Sequence, residues 1–245
     1  MPTFVLVHPA WFGGWCWKKI VSRLQSAGLG AHCPTLTGLG ERAHLASPLV
    51  GLDVHIEDIL QLLVFEDLRD AILVGNSSAG TVITGVADRA TERVRCVVYL
   101  DAFAPADGQS TFDLIAPDRQ VTMKMLVESE GFGWLLPRFA PAPWEQFVRE
   151  AWQILDDDDL AWVLARLRPT PFRHFTDPLQ LRRAASEQPP RVYIRCSGNP
   201  HPGFDRFAAA AQSTEGWTHC EMPTAHLPYI TDPDALTEQL IEATR

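Results

Sequence analysis

One short stretch, residues 71–81, constrains the fold of this chain more than any other part of its sequence. It reads A-I-L-V-G-N-S-S-A-G-T, in which four apolar residues run into a turn of glycine and other small residues. A short apolar run that ends at such a turn is typical of a strand buried on both faces. The following letters, T-V-I-T-G-V-A-D-R, have a helical pattern. The stretch therefore predicts a sharp strand-to-helix turn at the edge of a parallel sheet.

The turn carries a serine, Ser77, whose hydroxyl would stand above the sheet edge beside the first N–H groups of the new helix. Its neighbours Gly75, Ala79 and Gly80 are small, so they avoid collisions between the strand and the helix. We therefore identify Ser77 as a candidate nucleophile. A plain glycine–serine loop stays open as the alternative, because Ala79 stands where the common G-x-S-x-G pattern has glycine.

The rest of the chain alternates short apolar runs with segments of helical period. The runs predict strands over 4–8, 31–36, 71–74, 94–103, 191–196 and 217–222. Helices are predicted over 15–27 and 53–65, after the serine turn, from about 204, and over 233–243. Strands that alternate with helices form parallel βαβ units, so the expected fold is α/β with a doubly wound, mostly parallel sheet.

The segment 106–190 breaks this alternation, because it has no clear strand and reads as helical pieces rich in Pro, Trp, Phe and Met. We predict a helical cap over 106–190, inserted into a core formed by 1–105 and 191–245. The cap would cover the C-terminal edge of the sheet, where ligands bind in open α/β folds. Its run Asp156–Asp159 is interpreted as a solvent-exposed helix N-terminus, where negative charge is favoured, and no metal site is predicted.

The composition excludes several classes of partner. The net charge is -9 and no basic stripe is present, so neither nucleic acid nor an anionic membrane is expected as a partner. No apolar segment reaches the ~20 residues that a membrane-spanning helix needs. The five cysteines include no C-x-x-C pair, and the N-terminus lacks a signal-peptide pattern. We expect a soluble, cytoplasmic protein with reduced thiols, and a homodimer stays open as its oligomeric state.

A serine hydroxyl becomes a good nucleophile only when a base takes its proton, so the chain must supply a histidine. His226 lies in P-T-A-H-L-P-Y-I, after the last predicted strand and before the final helix. That position brings it to the same sheet edge as Ser77, and we identify it as the candidate base. His8 also ends a strand, and we expect it to have a structural or pocket-lining role.

Three further motifs carry a resemblance to a known family. They read H-P-A-W-F-G-G-W-C-W, L-T-G-L-G-E-R-A-H-L and V-V-Y-L-D-A-F-A-P. With the serine turn and the C-terminal histidine loop, they resemble the α/β-hydrolase family, and within it bacterial esterases related to plant methylesterases and hydroxynitrile lyases. The resemblance covers nearly the whole chain and is weakest in the insertion. It implies ester hydrolysis through an acyl-enzyme without a cofactor, and an oxyanion hole formed by the backbone N–H groups of Ala10 and Ser78.

The residue that orients His226 departs from that family. The family usually has an aspartate after the strand that ends here near Cys196, whereas this chain has Asn199. Asp101 ends the strand that follows the serine turn, and Asp205 lies a few residues after the expected place. We favour Asp101, because consecutive parallel strands are usually neighbours and end at one sheet edge. Asp205, or no working acid at all, are the alternatives.

The leading hypothesis is a serine hydrolase that acts on a small to medium apolar ester or thioester. The predicted pocket residues are Phe12, Phe103, Met123, Met125 and Trp134. One alternative is carbon–carbon cleavage, as in hydroxynitrile lyases; the related plant enzymes use a lysine beside the acid loop, and 191–226 contains none. The other is a catalytically quiet protein that binds a small apolar ligand. Covalent labelling by a fluorophosphonate would separate an activated serine from such a binder.

Overall fold

The central sheet has six strands and is parallel throughout in the computed structural model, which describes residues 2–138 and 143–244. Its strands are β1 (Thr3–Val7), β2 (Gly30–His32), β3 (Ala71–Ser77), β4 (Val94–Ala102), β7 (Arg191–Cys196) and β8 (Trp217–Met222). They lie side by side in the order β2-β1-β3-β4-β7-β8. The predicted neighbours, β3 and β4, are therefore adjacent at the centre of the sheet.

Helices pack on both faces of this sheet. The α-helices of the described residues, including those of the segment 106–190, are α1 (Lys18–Ser26), α2 (Leu52–Phe65), α3 (Ala79–Arg89), α4 (Pro117–Glu130), α5 (Trp144–Ala151), α6 (Asp157–Leu164), α7 (Arg173–Thr176), α8 (Asp205–Ser213), α9 (Pro228–Thr231) and α10 (Pro233–Ala243). In β1, Phe4 and Leu6 belong to the hydrophobic layer that contains α1 and α10, whereas Val5 and Val7 belong to the layer of α2, α3 and α8. The doubly wound parallel α/β fold is thus confirmed.

The element boundaries agree closely with the prediction except where local chemistry intervenes. Strands β7 and β8 have the predicted bounds, as does α10. Strand β2 is shorter than expected, because Pro34 has no N–H to donate to a neighbouring strand. The helix expected from Trp15 begins instead as a 3₁₀ turn, Gly14–Trp17, before α1 starts at Lys18.

Among its described residues, the segment between β4 and β7 contains four α-helices, α4 to α7, as its composition suggested. The expectation that it has no strand was wrong. Strands β5 (Leu135–Leu136) and β6 (Thr170–Pro171) form a small antiparallel pair within it. Strands of two residues are too short to show an alternating pattern in a sequence. The division of the chain into a core and a cap stays a prediction.

The acidic run at the start of α6 forms a helix N-terminus. The Asp156 side chain accepts the backbone N–H of Asp159 at 2.9 Å, which is the geometry of an N-cap. The Asp159 carboxylate in turn lies 2.7 Å from Lys19 Nζ, so it pairs with helix α1. The acidic run therefore provides a hydrogen-bond acceptor for a backbone N–H of the first turn and negative charge at the positive end of the helix, as predicted.

The longest described helices, α2 and α4, have 14 residues each. At the 1.5 Å rise of an α-helix they extend roughly 21 Å, which is shorter than the ~30 Å hydrocarbon core of a bilayer. In the part of the chain that the structure describes, no helix combines the length and apolar character that crossing a membrane requires.

A buried carboxylate joins α3 to the segment that leads into β7. Asp88 is 1% exposed and accepts the backbone N–H groups of Arg182 at 2.9 Å and Arg183 at 3.0 Å. The Gln188 side-chain amide also donates to it, at 2.8 Å. One carboxylate therefore holds both ends of a loop whose regular structure is a short 3₁₀ turn, Ala185–Glu187.

Replacing Asp88 by alanine should lower the free energy of unfolding by about 2–3 kcal/mol, because it leaves several donors without their charged acceptor. Urea denaturation measures the loss. Asp53→Ala is the matched control: Asp53 pairs with Arg89, but its side chain is 82% exposed, so we expect a cost under about 1 kcal/mol. Equal losses in the two variants would show that Asp88 does not anchor the loop.

Candidate active site

The predicted strand-to-helix turn is present between β3 and α3. Ser77 is the last residue of β3 and has a φ of 55°, in the left-handed region that non-glycine residues rarely adopt. A Cβ atom on Gly80 would overlap the carbonyl oxygen of Phe103, so only glycine fits there. Ser77 is half-buried, while Asn76 and Ser78 on either side are buried. The turn therefore presents the Ser77 side chain alone, as a nucleophile requires.

A β-bulge in the neighbouring strand sets the direction of Asp101. Asn76 of β3 pairs with Leu100 and Ser77 pairs with Ala102, so Asp101 is an extra residue on β4. Asp101 has a φ of 45°, again in the left-handed region. Bulges commonly redirect a side chain at a sheet edge. Here the bulge lies directly beside the serine turn.

The structure brings Asp101 and His226 together. The Asp101 side chain is fully buried, and its Oδ2 lies 2.7 Å from Nδ1 of His226. The same oxygen accepts the amide of Asn199 at 2.6 Å, and Oδ1 accepts Arg195 Nη1 at 2.8 Å. An ionised carboxylate only accepts hydrogen bonds, so Nδ1 of His226 carries the proton. Its Nε2 is then left with a free lone pair.

His226 and Ser77 line one cavity of about 110 Å³. The imidazole stacks on the ring of Phe204, with ring centroids 5.2 Å apart and planes 17° from parallel. The two residues of the predicted oxyanion hole, Ala10 and Ser78, line the same cavity. The candidate nucleophile, base and oxyanion donors therefore surround one space.

Asn76 holds the histidine loop against the sheet, and the sequence reasoning missed it. It is fully buried, and its side-chain amide donates to the backbone oxygens of Leu100 at 2.9 Å and His226 at 3.2 Å. Its Oδ1 accepts the hydroxyl of Tyr229 at 3.1 Å. A polar residue inside the apolar run of β3 was the signal that could have revealed it.

Arg195, in strand β7, was also missed. It is 7% exposed and bridges the carboxylates of Asp101 and Asp205, each at 2.8 Å. Burial acts to lower the pKa of Arg195, but these two carboxylates outweigh it and raise that pKa above its ordinary value. A charged residue in the run V-Y-I-R-C was the available signal. Arg195 thus fixes one oxygen of Asp101 and leaves the other for His226.

The alternative acid, Asp205, contacts Arg195. The Asp205 side chain is 62% exposed, and Arg195 donates to it. Asn199, roughly where the resemblance led us to expect an acid, has its Nδ2 3.3 Å from Nδ1 of His226 and closer to Asp101, at 2.6 Å. Asn199 therefore supports the carboxylate of Asp101, a role that its position in the sequence did not indicate.

One predicted oxyanion donor already has a partner inside the protein. The N–H of Ala10 donates to the side-chain oxygen of Ser78 at 2.9 Å. The same oxygen lies 2.9 Å from Nε2 of His174, a fully buried histidine on α7. One predicted donor, the N–H of Ala10, is therefore hydrogen-bonded to the side chain of Ser78, the residue whose own N–H is the other predicted donor.

The pocket prediction needs correction. Phe12 and Phe103 line the cavity, but among the described residues Met123, Met125 and Trp134 are not part of its lining. Met123 is fully buried in the hydrophobic core, whereas Met125 is 52% exposed. Residues two apart on a helix face different directions, so the two methionines cannot share a wall. The aromatic lining comes instead from Trp11, Phe147, Trp152, Phe175 and Phe204.

Comparisons with known proteins now identify the family. A model described as "Alpha/beta hydrolase family" matches residues 4–239, so the chain belongs to the α/β-hydrolase family. A relative from Nocardioides sp. (strain SG-4G), "Carbendazim hydrolyzing esterase", is 38% identical over 98% of each chain. "Methylesterase 17" of Arabidopsis thaliana is 28% identical over 45% of this chain and 40% of its own. The resemblance predicted from the sequence is confirmed.

The fold also matches solved structures. An extracellular α/β-hydrolase from a Paenibacillus species superimposes with a TM-score of 0.87 over the whole of both chains, at 23% identity. At that identity the likeness shows the fold alone. The family and its full-length esterase relative confirm the prediction of a carboxylic ester hydrolase.

Asp101→Asn should lower kcat by up to about 10⁴-fold, because an amide beside Nδ1 favours the wrong imidazole tautomer. Steady-state kinetics on a p-nitrophenyl ester measure it, with circular dichroism to verify folding. Asp205→Asn is the matched control, since it removes a carboxylate from the same Arg195 but not from His226. We expect it to stay within about twofold of the unmodified enzyme. Near-normal turnover in Asp101→Asn would refute the assignment.

Proposed function

We propose that this protein cleaves small to medium apolar carboxylic esters, or thioesters, through an acyl-enzyme formed on Ser77. One observation carries the proposal: the Nδ1 of His226 lies 2.7 Å from a buried carboxylate of Asp101, while His226 and Ser77 line one cavity. A serine, a histidine and an orienting carboxylate at one sheet edge are the groups that activate a hydroxyl for acyl transfer.

In the first half of the reaction, Nε2 of His226 takes the hydroxyl proton of Ser77 as its oxygen attacks the ester carbonyl carbon. The resulting imidazolium is stabilised by Asp101. The tetrahedral adduct then collapses, the carbon–oxygen bond to the alcohol breaks, and His226 returns the proton to the leaving alcohol. The acyl group stays on Ser77. No metal or cofactor takes part in the proposed steps.

In the second half, His226 removes a proton from water as the water oxygen attacks the acyl carbon. The bond from that carbon to the Ser77 oxygen then breaks, His226 returns the proton to Ser77, and the acid is released. Both halves place negative charge on the former carbonyl oxygen. The backbone N–H groups of Ala10 and Ser78 are the proposed donors to that charge, and Ser78 directly precedes α3, whose N-terminal end carries a positive partial charge.

The lining of the cavity supports an apolar substrate. Aromatic rings of Trp11, Phe12 and Trp152 pack against one another, with centroids of Trp152 5.3 Å from Phe12 and 6.3 Å from Trp11. Several lining residues, including Ala151 and Phe175, come from the segment 106–190. We propose that this segment acts as a cap that selects the substrate, and that the substrate presents an apolar or aromatic group to it.

The alternatives have less support. A catalytically quiet binder was suggested by the asparagine at 199, but the contact between Asp101 and His226 supplies a carboxylate from β4. Carbon–carbon cleavage has no observation in its favour, because 191–226 contains no lysine. A cytoplasmic location is proposed on the five cysteines, all of which are free. We further propose a small-molecule ester as the partner of this site, rather than nucleic acid or a membrane.

A fluorophosphonate probe should label the intact protein at Ser77, and mass spectrometry of its peptides locates the label. Ser77→Ala should abolish labelling and lower ester turnover by about 10⁴-fold or more, since no other group takes over the attack. Carbendazim belongs among the substrates tested, beside p-nitrophenyl esters of increasing length. A label on Ser78 would assign the nucleophile to Ser78 instead. A protein that takes no label would favour the alternative of a catalytically quiet protein that binds a small apolar ligand.

Ala151→Leu should fill part of the cavity and shift the preference toward shorter esters, because Ala151 lies in its lining. We expect kcat/KM for a hexanoate ester to fall by about tenfold relative to acetate, the effect of a methylene or two in an apolar pocket. Met125→Ala is the control, since Met125 is 52% exposed and outside the lining. An unchanged profile in Ala151→Leu would place the acyl chain elsewhere.

A further inference from the structure

A chain of hydrogen bonds connects the amide of Ala10 to the loop after β2. The Ala10 N–H donates to Ser78 Oγ at 2.9 Å, and Oγ lies 2.9 Å from Nε2 of His174. The Nδ1 atoms of His174 and His55 are 2.9 Å apart. The Nε2 of His55 lies 2.9 Å from the backbone oxygen of Thr37. Four successive contacts thus connect five residues.

The direction of every bond follows from the two ends, because both ends are backbone groups. The Thr37 carbonyl can only accept, so Nε2 of His55 carries a proton and its Nδ1, in the neutral ring, accepts. Nδ1 of His174 must then donate, which leaves its Nε2 as an acceptor. Ser78 therefore donates its hydroxyl proton to His174 and turns a lone pair toward the N–H of Ala10.

Both imidazoles are neutral at neutral pH, so this direction does not reverse there. His55 and His174 are fully buried, and burial is the main cause that lowers the pKa of each, for His174 to well below its ordinary value. The hydrogen bond to the Thr37 carbonyl and the charges of Asp58 and Asp177 act to raise the pKa of His55, and Arg42 acts to lower it; burial outweighs the groups that raise it. The hydrogen-bond chain therefore fixes one tautomer for His55 and one for His174.

The carbonyl end of the same peptide is held as well. The Pro9 oxygen lies 2.9 Å from Nδ1 of His8 and accepts the N–H of Phe12 at 3.4 Å. Nε2 of His8 accepts the backbone N–H of Leu36 at 3.0 Å, so Nδ1 of His8 carries the proton. Burial lowers the pKa of His8 to about 4. The Pro9–Ala10 peptide plane is therefore fixed on its carbonyl side by His8 and on its N–H side by Ser78, which the neutral His174 holds in turn.

We propose that Ser78, His174 and His55 are positioning residues that hold the Ala10 N–H in the orientation in which it can donate a hydrogen bond to the oxyanion. The inference rests on the proposed function. A charge-assisted hydrogen bond is roughly twice as strong as a neutral one, so the developing oxyanion draws this N–H away from the Ser78 hydroxyl. Until then the hydroxyl prevents the peptide from turning its N–H away from the cavity.

Ser78 and His174 do not form a second nucleophile and base. A neutral His55 cannot stabilise an imidazolium as a carboxylate does, and the lowered pKa of His174 makes it a weak base. Ser78 is also only 2% exposed. Positioning is the role that this geometry allows.

The kinetic test replaces His174 by phenylalanine, which keeps a ring but removes both hydrogen bonds. We expect kcat to fall by about tenfold or more, up to the 10²–10³-fold that losing one oxyanion donor costs, with KM changed less than about twofold. His174→Gln offers an oxygen to Ser78 and should recover most of kcat. Ser78→Ala should lower kcat too. Higher turnover in Ser78→Ala would mean that the hydroxyl competes with the substrate, and would overturn the proposal.

Histidine ¹⁵N NMR of the unmodified protein provides a readout that does not depend on activity. It should show a proton on Nε2 of His55 and on Nδ1 of His174; the opposite tautomers would refute the hydrogen-bond chain. If the tautomers are as expected but His174→Phe keeps normal kcat, the chain is structural only and the inference is wrong, although the proposed function stands. If the probe labels no serine, the proposed function fails first, and the positioning role fails with it.

Discussion

A carboxylate removed from water is the group on which the arrangement of this site depends. Burying a charge costs several kcal/mol unless hydrogen bonds and opposite charge offset it. Asp101 is fully buried, and it is satisfied by Arg195 from β7, Asn199 from the following loop and His226 from the loop after β8. Three separate parts of the chain must therefore meet at one point. The orientation of the His226 imidazole follows from its hydrogen bond to this buried carboxylate.

Backbone strain concentrates at the same edge of the sheet. Ser77 and Asp101 both have positive φ values, on adjacent strands, and one ends β3 while the other forms the bulge of β4. Such conformations cost of order 1–3 kcal/mol each and persist where the surroundings enforce them. Asn76, fully buried between them, ties both strands to the histidine loop. The sheet provides the rigidity that keeps two strained residues in register.

The parts of this site that follow from chain direction could be predicted, and the parts that follow from side-chain packing could not. Parallel strands end at one edge, so Ser77 and His226 were expected together, and strand adjacency pointed to Asp101. Met125 is exposed because of the way α4 packs on its neighbours. The apolar residues of α4 have only a weak helical periodicity, so the sequence does not show which face of the helix is buried. His174 meets a histidine 119 residues away in the sequence, and no local pattern indicates such a contact.

The contact between Asn199 and Asp101 has an evolutionary consequence. Their side chains lie 2.6 Å apart, so the two positions share room for one negative charge; two carboxylates there would repel, and one would have to hold a proton. A chain with its acid at position 199 and a chain with its acid at position 101 would therefore differ at both positions. Each single change passes through an intermediate with either two acids or none. Such an intermediate would either share one proton between two carboxylates or leave His226 without an orienting carboxylate.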